Sequence, residues 1–447
     1  YKKNDLFEAA RWGHAESLFR IAKYYPQKVG FDLIVKAADR GSEKAYIAVA
    51  VYIIQNNYPL PSEEGYQMLE KLNNGRAYRV LEKYYKNSPQ DRLRVLIKGM
   101  KLKDPECLFQ LANVILRSEG ISYNLNLIIK YLTKASQQGH LEATFQLAQM
   151  CVIKEYNIND LERALELLFE NYKRRHLPST LLFIRFYLWS RTLFCDYKIV
   201  KTMLDWALSQ NSPGAYLLAG SCYENGNIYQ KDINQAIYHY LKAADSNLES
   251  AYYPLGKLYL EQGNKKDAFQ YLTLAGESNP DGYFLASELE ENEDTRKILL
   301  QKAAIANHPR ALTTLGILGD KESLQKAYIL KDPLAYFINA LDMLNSNQDL
   351  DTAERLLKLA YEQHIFKAAY YLGNLYRDQN KPELSYEYYK KGASHFENNA
   401  TFAFAQLLID GKCLSEDYEE KDFWIVKAQE LNPDRQLNFL NDDQETL

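Results

Sequence analysis

Seven histidines (His14, His140, His176, His239, His308, His364 and His395) and five cysteines (Cys107, Cys151, Cys195, Cys222 and Cys413) are the side chains of this sequence best suited to bind a metal or attack a substrate. Either task needs them close together: two histidines one turn apart on a helix, or cysteines paired at knuckle or redox spacing. No two histidines lie nearer than 31 residues in sequence, and no two cysteines nearer than 27. His14, His140 and His308 fall in polar turns, and the cysteines read as small core hydrophobes whose odd number argues against a disulfide lattice. Carboxylates do crowd together, at Glu288, Glu290, Glu291, Glu293 and Asp294, but in a strongly polar turn that water would solvate. The basic run Lys173, Arg174, Arg175 and His176 reads as another turn; its functional alternative is docking to an acidic partner or an anionic glycan. No Gly-x-Ser-x-Gly elbow, Gly-rich phosphate loop or dinucleotide fingerprint is present. The expectation is a non-enzyme with no catalytic residue, metal or cofactor.

Recognition by shape and surface then becomes the chemistry to look for, and composition says what could present that surface. Of the 447 residues, 47% are hydrophobic and 25% charged, enough for a packed interior. Only 20 Gly and 13 Pro are present, too few for turn-dense β architectures, so helices are expected. The 54 Lys and Arg against 58 Asp and Glu leave a net charge of −4, which argues against nucleic acid as a main partner. The apolar run Ala45 to Ile54 is ten residues long and Arg185 interrupts the run Leu181 to Trp189, so no transmembrane helix is expected. The chain opens at Tyr1 rather than Met, which leaves the compartment open and permits a lipid anchor upstream.

The helices repeat. Gly99, Ala135, Asn171, Ala207 and Ala243, each a small or polar residue closing an apolar stretch, are spaced by 36 residues. The beat continues less regularly through Ala10, Ala38 and Leu69, then Ala275, Ala303, Ala327, Ala360, Ala393 and Ala428, giving about thirteen repeats. In the clearest one, Ala215, Ala219, Gly220 and Tyr223 share a helix face, Gly226 ends that helix, and Asp232 with Gln235 reads as a capping box opening a second helix through Ala236, Tyr240 and Ala243. The first-helix pattern recurs as Ala251, Leu255, Gly256 and Tyr259; as Ala311, Leu315 and Gly316; and as Ala368, Leu372, Gly373 and Tyr376. Small residues on that face let a second helix approach closely. Because one hairpin alone leaves its apolar face wet, neighbours must stack into an all-α solenoid, a right-handed superhelix of helix pairs.

The pattern Ala-x3-Leu-Gly-x2-Tyr, a Gly-bearing turn, Asp-x3-Ala and a Lys-Ala-Ala-like helix end resembles the Sel-one-like repeat (SLR), a relative of the tetratricopeptide repeat. The match is strongest from Ala215 to Ala275 and from Ala368 to Gly411. The expected organisation is degenerate repeats over 1–98, regular repeats over 99–274, shortened repeats over 275–335 where the beat falls to 28 and 24 residues, SLR repeats again over 336–433, and a polar tail over 434–447. A narrower likeness covers about 65 residues, through Ala369 to Arg377, Ala403 to Gly411 and Phe423 to Pro433, and is similar to alginate-export lipoproteins of the AlgK type.

What the SLR resemblance implies is a non-enzymatic protein-interaction scaffold. The narrower likeness implies a bacterial envelope setting, at the periplasmic face of the outer membrane, with an outer-membrane porin and periplasmic polysaccharide-modifying or export proteins as partners. The alternatives are a host-directed or signalling adaptor of the same fold, and a glycan-active enzyme using Glu288 or Glu291. When the repeats are superposed, the second residue after the first alanine carries Leu217, Tyr253, Thr313, Tyr370 and Phe402, about 200° around the helix from that alanine. If first helices line the inner curve, as the resemblance implies, Tyr253, Tyr370 and Phe402 are ring anchors for a partner, rimmed by Lys257, Asn374 and Arg377.

Overall fold

The computed structural model describes residues 3–55, 62–117, 125–152, 160–190, 196–410 and 418–437. Among these residues are 27 α-helices and no strand. One helix, Lys3–Arg11, precedes thirteen consecutive pairs, from Ala15–Ile21 with Gln27–Asp39 to Asn398–Ile409 with Tyr418–Leu431. The chain divides into two compact bodies, Tyr1–Lys231 and Asp232–Leu447. In the N-terminal body the core is a string of clusters in chain order, passing through Ile21 and Ala45, then Leu69 and Leu81, then Ile128 and Leu147, then Leu165 and Met203. In the C-terminal body it passes through Leu272 and Leu300, Leu312 and Ala327, Leu357 and Leu372, and Tyr389 and Phe404. Each cluster draws on adjacent pairs, as stacked amphipathic hairpins require.

The 36-residue beat has a backbone meaning. Gly99, Ala135, Asn171, Ala207 and Ala243 are all buried in the last turn of a second helix. Four residues after each, the chain turns left-handed, at Lys103 (φ 58°), Gly139 (82°), Arg175 (60°), Asn211 (52°) and Asn247 (57°). At four of the five the residue after that donates its N–H back to the beat carbonyl, from Asp104 to Gly99, His140 to Ala135 and His176 to Asn171, each at 3.1 Å, and from Leu248 to Ala243 at 3.2 Å. This is the Schellman closure of a helix end, and it aims the next first helix back across the beat residue. A Cβ at Gly392 would run into Ala400 of that next helix, so the beat stays small.

The left-handed residues Gly13, Gly41 and Phe396 show that three anchors are Ala9, Ala37 and Gly392. Each is one residue before the Ala10, Ala38 and Ala393 read from the sequence; two adjacent small residues leave the phase undetermined. After Ala275 the closure is absent, because Asn279 directly caps the helix Pro280–Leu289. The compressed beats correspond to short helices: Pro309–Ile317 and Lys321–Ile329 have nine residues each.

Ala215, Ala251, Ala311 and Ala368 are completely buried. Gly256, Gly316 and Gly373 mark the crossing within a pair: an added Cβ would sit 2.7 Å from Leu272 Cγ, 2.7 Å from Leu324 Cβ and 2.5 Å from the Tyr389 ring, respectively. Gly220 is buried as well. Gly226 ends its helix at φ 71°, and Asp232 accepts the Gln235 N–H at 3.1 Å. Tyr376 is buried, while Tyr223 stacks on Tyr229 and Tyr259 on Tyr271, with centroids 4.5 and 5.8 Å apart.

Candidate functional site

Three histidines each face a carboxylate, a pairing that sequence spacing alone did not reveal. His140 Nε2 lies 3.1 Å from Glu106, His176 Nε2 3.1 Å from Glu142, and His308 Nε2 3.1 Å from Asp281. Such dyads could in principle move protons, but their other nitrogens are already engaged. His140 Nδ1 accepts the Ala143 N–H at 3.1 Å and His308 Nδ1 accepts the Ala311 N–H at 3.0 Å, so each ring caps the helix that follows it. His176 Nδ1 is 2.7 Å from the Ser179 hydroxyl. With Nδ1 accepting, the ring proton of His140 and His308 sits on Nε2 and donates to the carboxylate one repeat back. A phenylalanine from that earlier repeat covers each ring: Phe109 on His140, Phe145 on His176 and Phe284 on His308, at 4.6, 6.0 and 4.7 Å between centroids.

Each pair stitches one repeat to the next. The hydrogen bond from His140 is the largest cause holding Glu106 well below the usual carboxylate range, at about 2. Burial holds His308 below its ordinary value, opposed by Asp281. The signal was in the sequence: a carboxylate and a phenylalanine, two and five residues past a cap, precede each histidine, as in Glu106, Phe109 and His140. Among the described residues no three His, Cys, Asp or Glu side chains are grouped to hold a metal ion. Cys107, Cys151 and Cys222 are buried free thiols, and burial pushes Cys222 up to about 12; Cys195 and Cys413 lie outside the described residues.

The other sequence clusters are engaged or solvated. Lys173 pairs with Glu170 at 2.6 Å and Arg175 lies 5.2 Å over the Trp206 ring. Glu288, Glu291, Glu293 and Asp294 are exposed, and Glu290 accepts the Asn292 N–H. Among the described residues no helix is long and apolar enough to cross a membrane.

Four of the six partner-binding candidates converge. Tyr370, Asn374 and Arg377 lie at one-turn intervals on the helix Lys367–Asp378, and Phe402 lies on the neighbouring first helix Asn398–Ile409. Together they line a recess of about 560 Å³ with Asn399, Gln406, Asp410 and Arg435. Its floor is Tyr389, whose buried hydroxyl donates to Asn374 Oδ1 at 2.6 Å. Tyr370 and Phe402 are half-buried: they pack on the core through one side and face the recess with the rest. Tyr253 and Lys257 stand apart from this recess, on the helix Tyr252–Glu261, with Tyr253 half-buried against the Leu272 cluster and Lys257 exposed. Thr313 departs from the surface row altogether. It is completely buried and donates to Asp332 at 2.6 Å, because the shortened repeat brings that cap directly over it.

Arg435 was not foreseen, since it falls in what reads as a polar tail. Leu437 anchors its segment in a cluster with Ala405 and Ala428, and Asn432 Nδ2 donates to the Asn398 carbonyl at 3.0 Å. The Arg435 guanidinium then lies 5.2 Å over the Phe402 ring and donates to Asn399 Oδ1 at 3.0 Å.

Comparison with known proteins fits this geometry. Residues 105–140, 212–248 and 366–395 match the Sel1 repeat. The structure is similar to that of c5321, a protective antigen present in uropathogenic Escherichia coli strains and displaying an SLR fold, with a TM-score of 0.63 and 16% identity over 96% of this chain and 94% of that one. A Sel1 repeat protein from Oxalobacter formigenes is matched at 18% identity over 71% of this chain and 90% of that one, with a TM-score of 0.46. No curated protein sequence matches the chain. The fold is therefore the SLR fold, built from helix pairs of which three segments match the Sel1 repeat.

Proposed function

We propose that this chain is a non-enzymatic scaffold that holds protein partners, and that the recess around Tyr370, Asn374, Arg377 and Phe402 is one of its contact points. The observation that carries this reading is the convergence on one open cavity of rings and amides from two neighbouring first helices with the guanidiniums of Arg377 and, from the C-terminal segment, Arg435, a composition typical of interface anchors. The histidine–carboxylate pairs, which would be the rival catalytic groups, are occupied in capping and joining helices. The test is the double substitution Tyr370→Ala and Phe402→Ala in the full chain purified with its bound partners from its own cells. Loss of the partners with helicity and melting unchanged supports the proposal; loss of cooperative unfolding assigns both rings to the core instead.

The setting we propose is the bacterial envelope, with the chain helping to assemble an exopolysaccharide secretion complex at the periplasmic face of the outer membrane. Support comes from the likeness of Ala369 to Arg377 and Phe423 to Pro433 to alginate-export lipoproteins, and from the fold shared with an antigen of a pathogenic Escherichia coli. Fractionation of the native cells tests it: recovery in the cytosol would favour the adaptor reading. Turnover of an envelope polysaccharide, abolished by Glu288→Gln or Glu291→Gln, would overturn the non-enzymatic reading.

A further inference from the structure

We propose that the recess beside Phe402 captures an extended peptide segment of the partner through a carboxylate, an inference that rests on the scaffold reading above. Arg435 is held ready for such a group. Its segment is pinned on one side by Asn432 and on the other by buried Leu437, and its guanidinium is oriented by Asn399 and the Phe402 ring. Only one guanidinium N–H is used in that contact, of the five an arginine carries, and among the described residues no carboxylate pairs with it.

The second guanidinium, Arg377, is joined only to its chain neighbour Asp378 at 3.2 Å, both side chains more than half exposed, a pairing weak enough to be exchanged for a ligand. Against these two cations the recess lining holds one carboxylate, Asp410, which accepts from Gln406 at 2.8 Å. The lining itself therefore carries one positive charge in excess, Asp378 lying outside it, and the guanidinium fork suits a planar carboxylate.

The remaining lining says what carries the carboxylate. Asn374 and Asn399, whose amide oxygens accept from Tyr389 and Arg435, keep their amide N–H donors, and Gln436 adds a donor and an acceptor, the complement of peptide C=O and N–H groups. A sugar acid would bring the same charge but would need an open ring face to stack on. The Arg435 guanidinium lies over the Phe402 ring, and Tyr370 is turned against Tyr371 and Tyr389, 5.3 and 6.2 Å between centroids. The geometry therefore favours a peptide whose Asp, Glu or terminal carboxylate meets Arg435 and Arg377 and whose adjacent apolar side chain rests against the edges of the two rings.

The experiment is selection of a displayed random dodecapeptide library on the full chain, repeated on Arg435→Gln and on the double variant Tyr370→Ala, Phe402→Ala. Circular dichroism first establishes that all three share one helicity and melting point. The expected result is enrichment of an acidic residue beside an apolar one, with recovery falling roughly tenfold or more on Arg435→Gln, as loss of a charge-assisted hydrogen bond requires. Peptides enriched without an acidic residue, or acidic peptides that bind Arg435→Gln equally well, overturn the carboxylate assignment while leaving the scaffold reading intact. Peptides that bind the double ring variant undiminished remove the recess itself and the scaffold reading of it. Retention of a hexauronate by the parent chain, lost in Arg435→Gln with no acidic peptide recovered, assigns the anion to a glycan and overturns the peptide.

Discussion

The joint between the helices Pro105–Arg117 and Leu141–Val152 can be taken apart one contact at a time through His140. His140→Ala removes three things: the cap on the Ala143 N–H, the hydrogen bond to Glu106, and the Phe109 ring contact. The cap contributes about 1 kcal/mol. The bond to Glu106, whose side chain is 38% exposed, is screened by solvent and contributes roughly 1 kcal/mol. The ring contact adds about 0.5 kcal/mol. The total of about 2.5 kcal/mol corresponds to an opening equilibrium raised about 60-fold. His140→Asn restores an acceptor for the Ala143 N–H but is too short to reach Glu106 or stack on Phe109, so about 1.5 kcal/mol and roughly a tenfold increase remain. The assay is amide hydrogen exchange of the helix Leu141–Val152 followed by mass spectrometry, which reads local opening in an array that need not unfold in one step. If the alanine and asparagine variants exchange alike, the cap carries nothing; if neither departs from the parent, the stitch does not hold the repeats together.

Other outcomes follow from the same geometry. Gly373→Ala should lower the melting midpoint, because its Cβ would lie 2.5 Å from a Tyr389 ring that is 1% exposed and tied to Asn374; roughly 1–3 kcal/mol of overpacking exceeds the gain of about 1 kcal/mol in helix propensity. An unchanged or higher midpoint would reject the crossing. Asn171→Ala removes donors to the Leu141 carbonyl and Ser179 from a site 2% exposed and should cost about 1–3 kcal/mol in urea unfolding, even though alanine is the usual residue at that beat. For His308, whose value is lowered by burial among Asp281, Asp332 and Arg310, the folded state binds fewer protons than the unfolded chain. Its contribution is therefore full above the unfolded value, about 6.5, and lost as pH falls below it; His308→Asn should flatten that limb of a stability–pH curve. Glu106 acts lower on the scale, its contribution present above its ordinary value of 4.5 and lost as pH falls toward about 2, so parent and Glu106→Gln should converge in urea midpoint at about pH 2.

The legible part of this protein is what short stretches of sequence decide by themselves. Alternation of small and large apolar residues at helical spacing fixes Ala215, Gly256 or Gly373 on a buried face whatever lies beyond, and a turn needs its left-handed residue and cap within a few positions of each other. Hence the 36-residue beat, the hairpins and the shortened repeats could be read directly. Phase was harder wherever two small residues adjoin, as at Ala37 and Ala38, since either satisfies the same close approach.

The candidate site was legible by half. Tyr370 and Phe402 follow from the repeat pattern, because superposing the repeats puts them on one row, and Asn374 and Arg377 follow as its rim, one and two turns along the helix from Tyr370. Thr313 sits on that row too and is nonetheless buried, because a neighbouring helix of only nine residues lets the Asp332 cap close over it. Arg435 reaches the recess only because Leu437 finds a pocket between two helices, and the histidines meet their carboxylates only once repeats 27 to 34 residues apart are stacked. Helix, turn and repeat are set by interactions within some ten residues, which a sequence displays in order. Which polar side chains meet across a junction depends on helix length and crossing, and these exist only after the hairpins have packed.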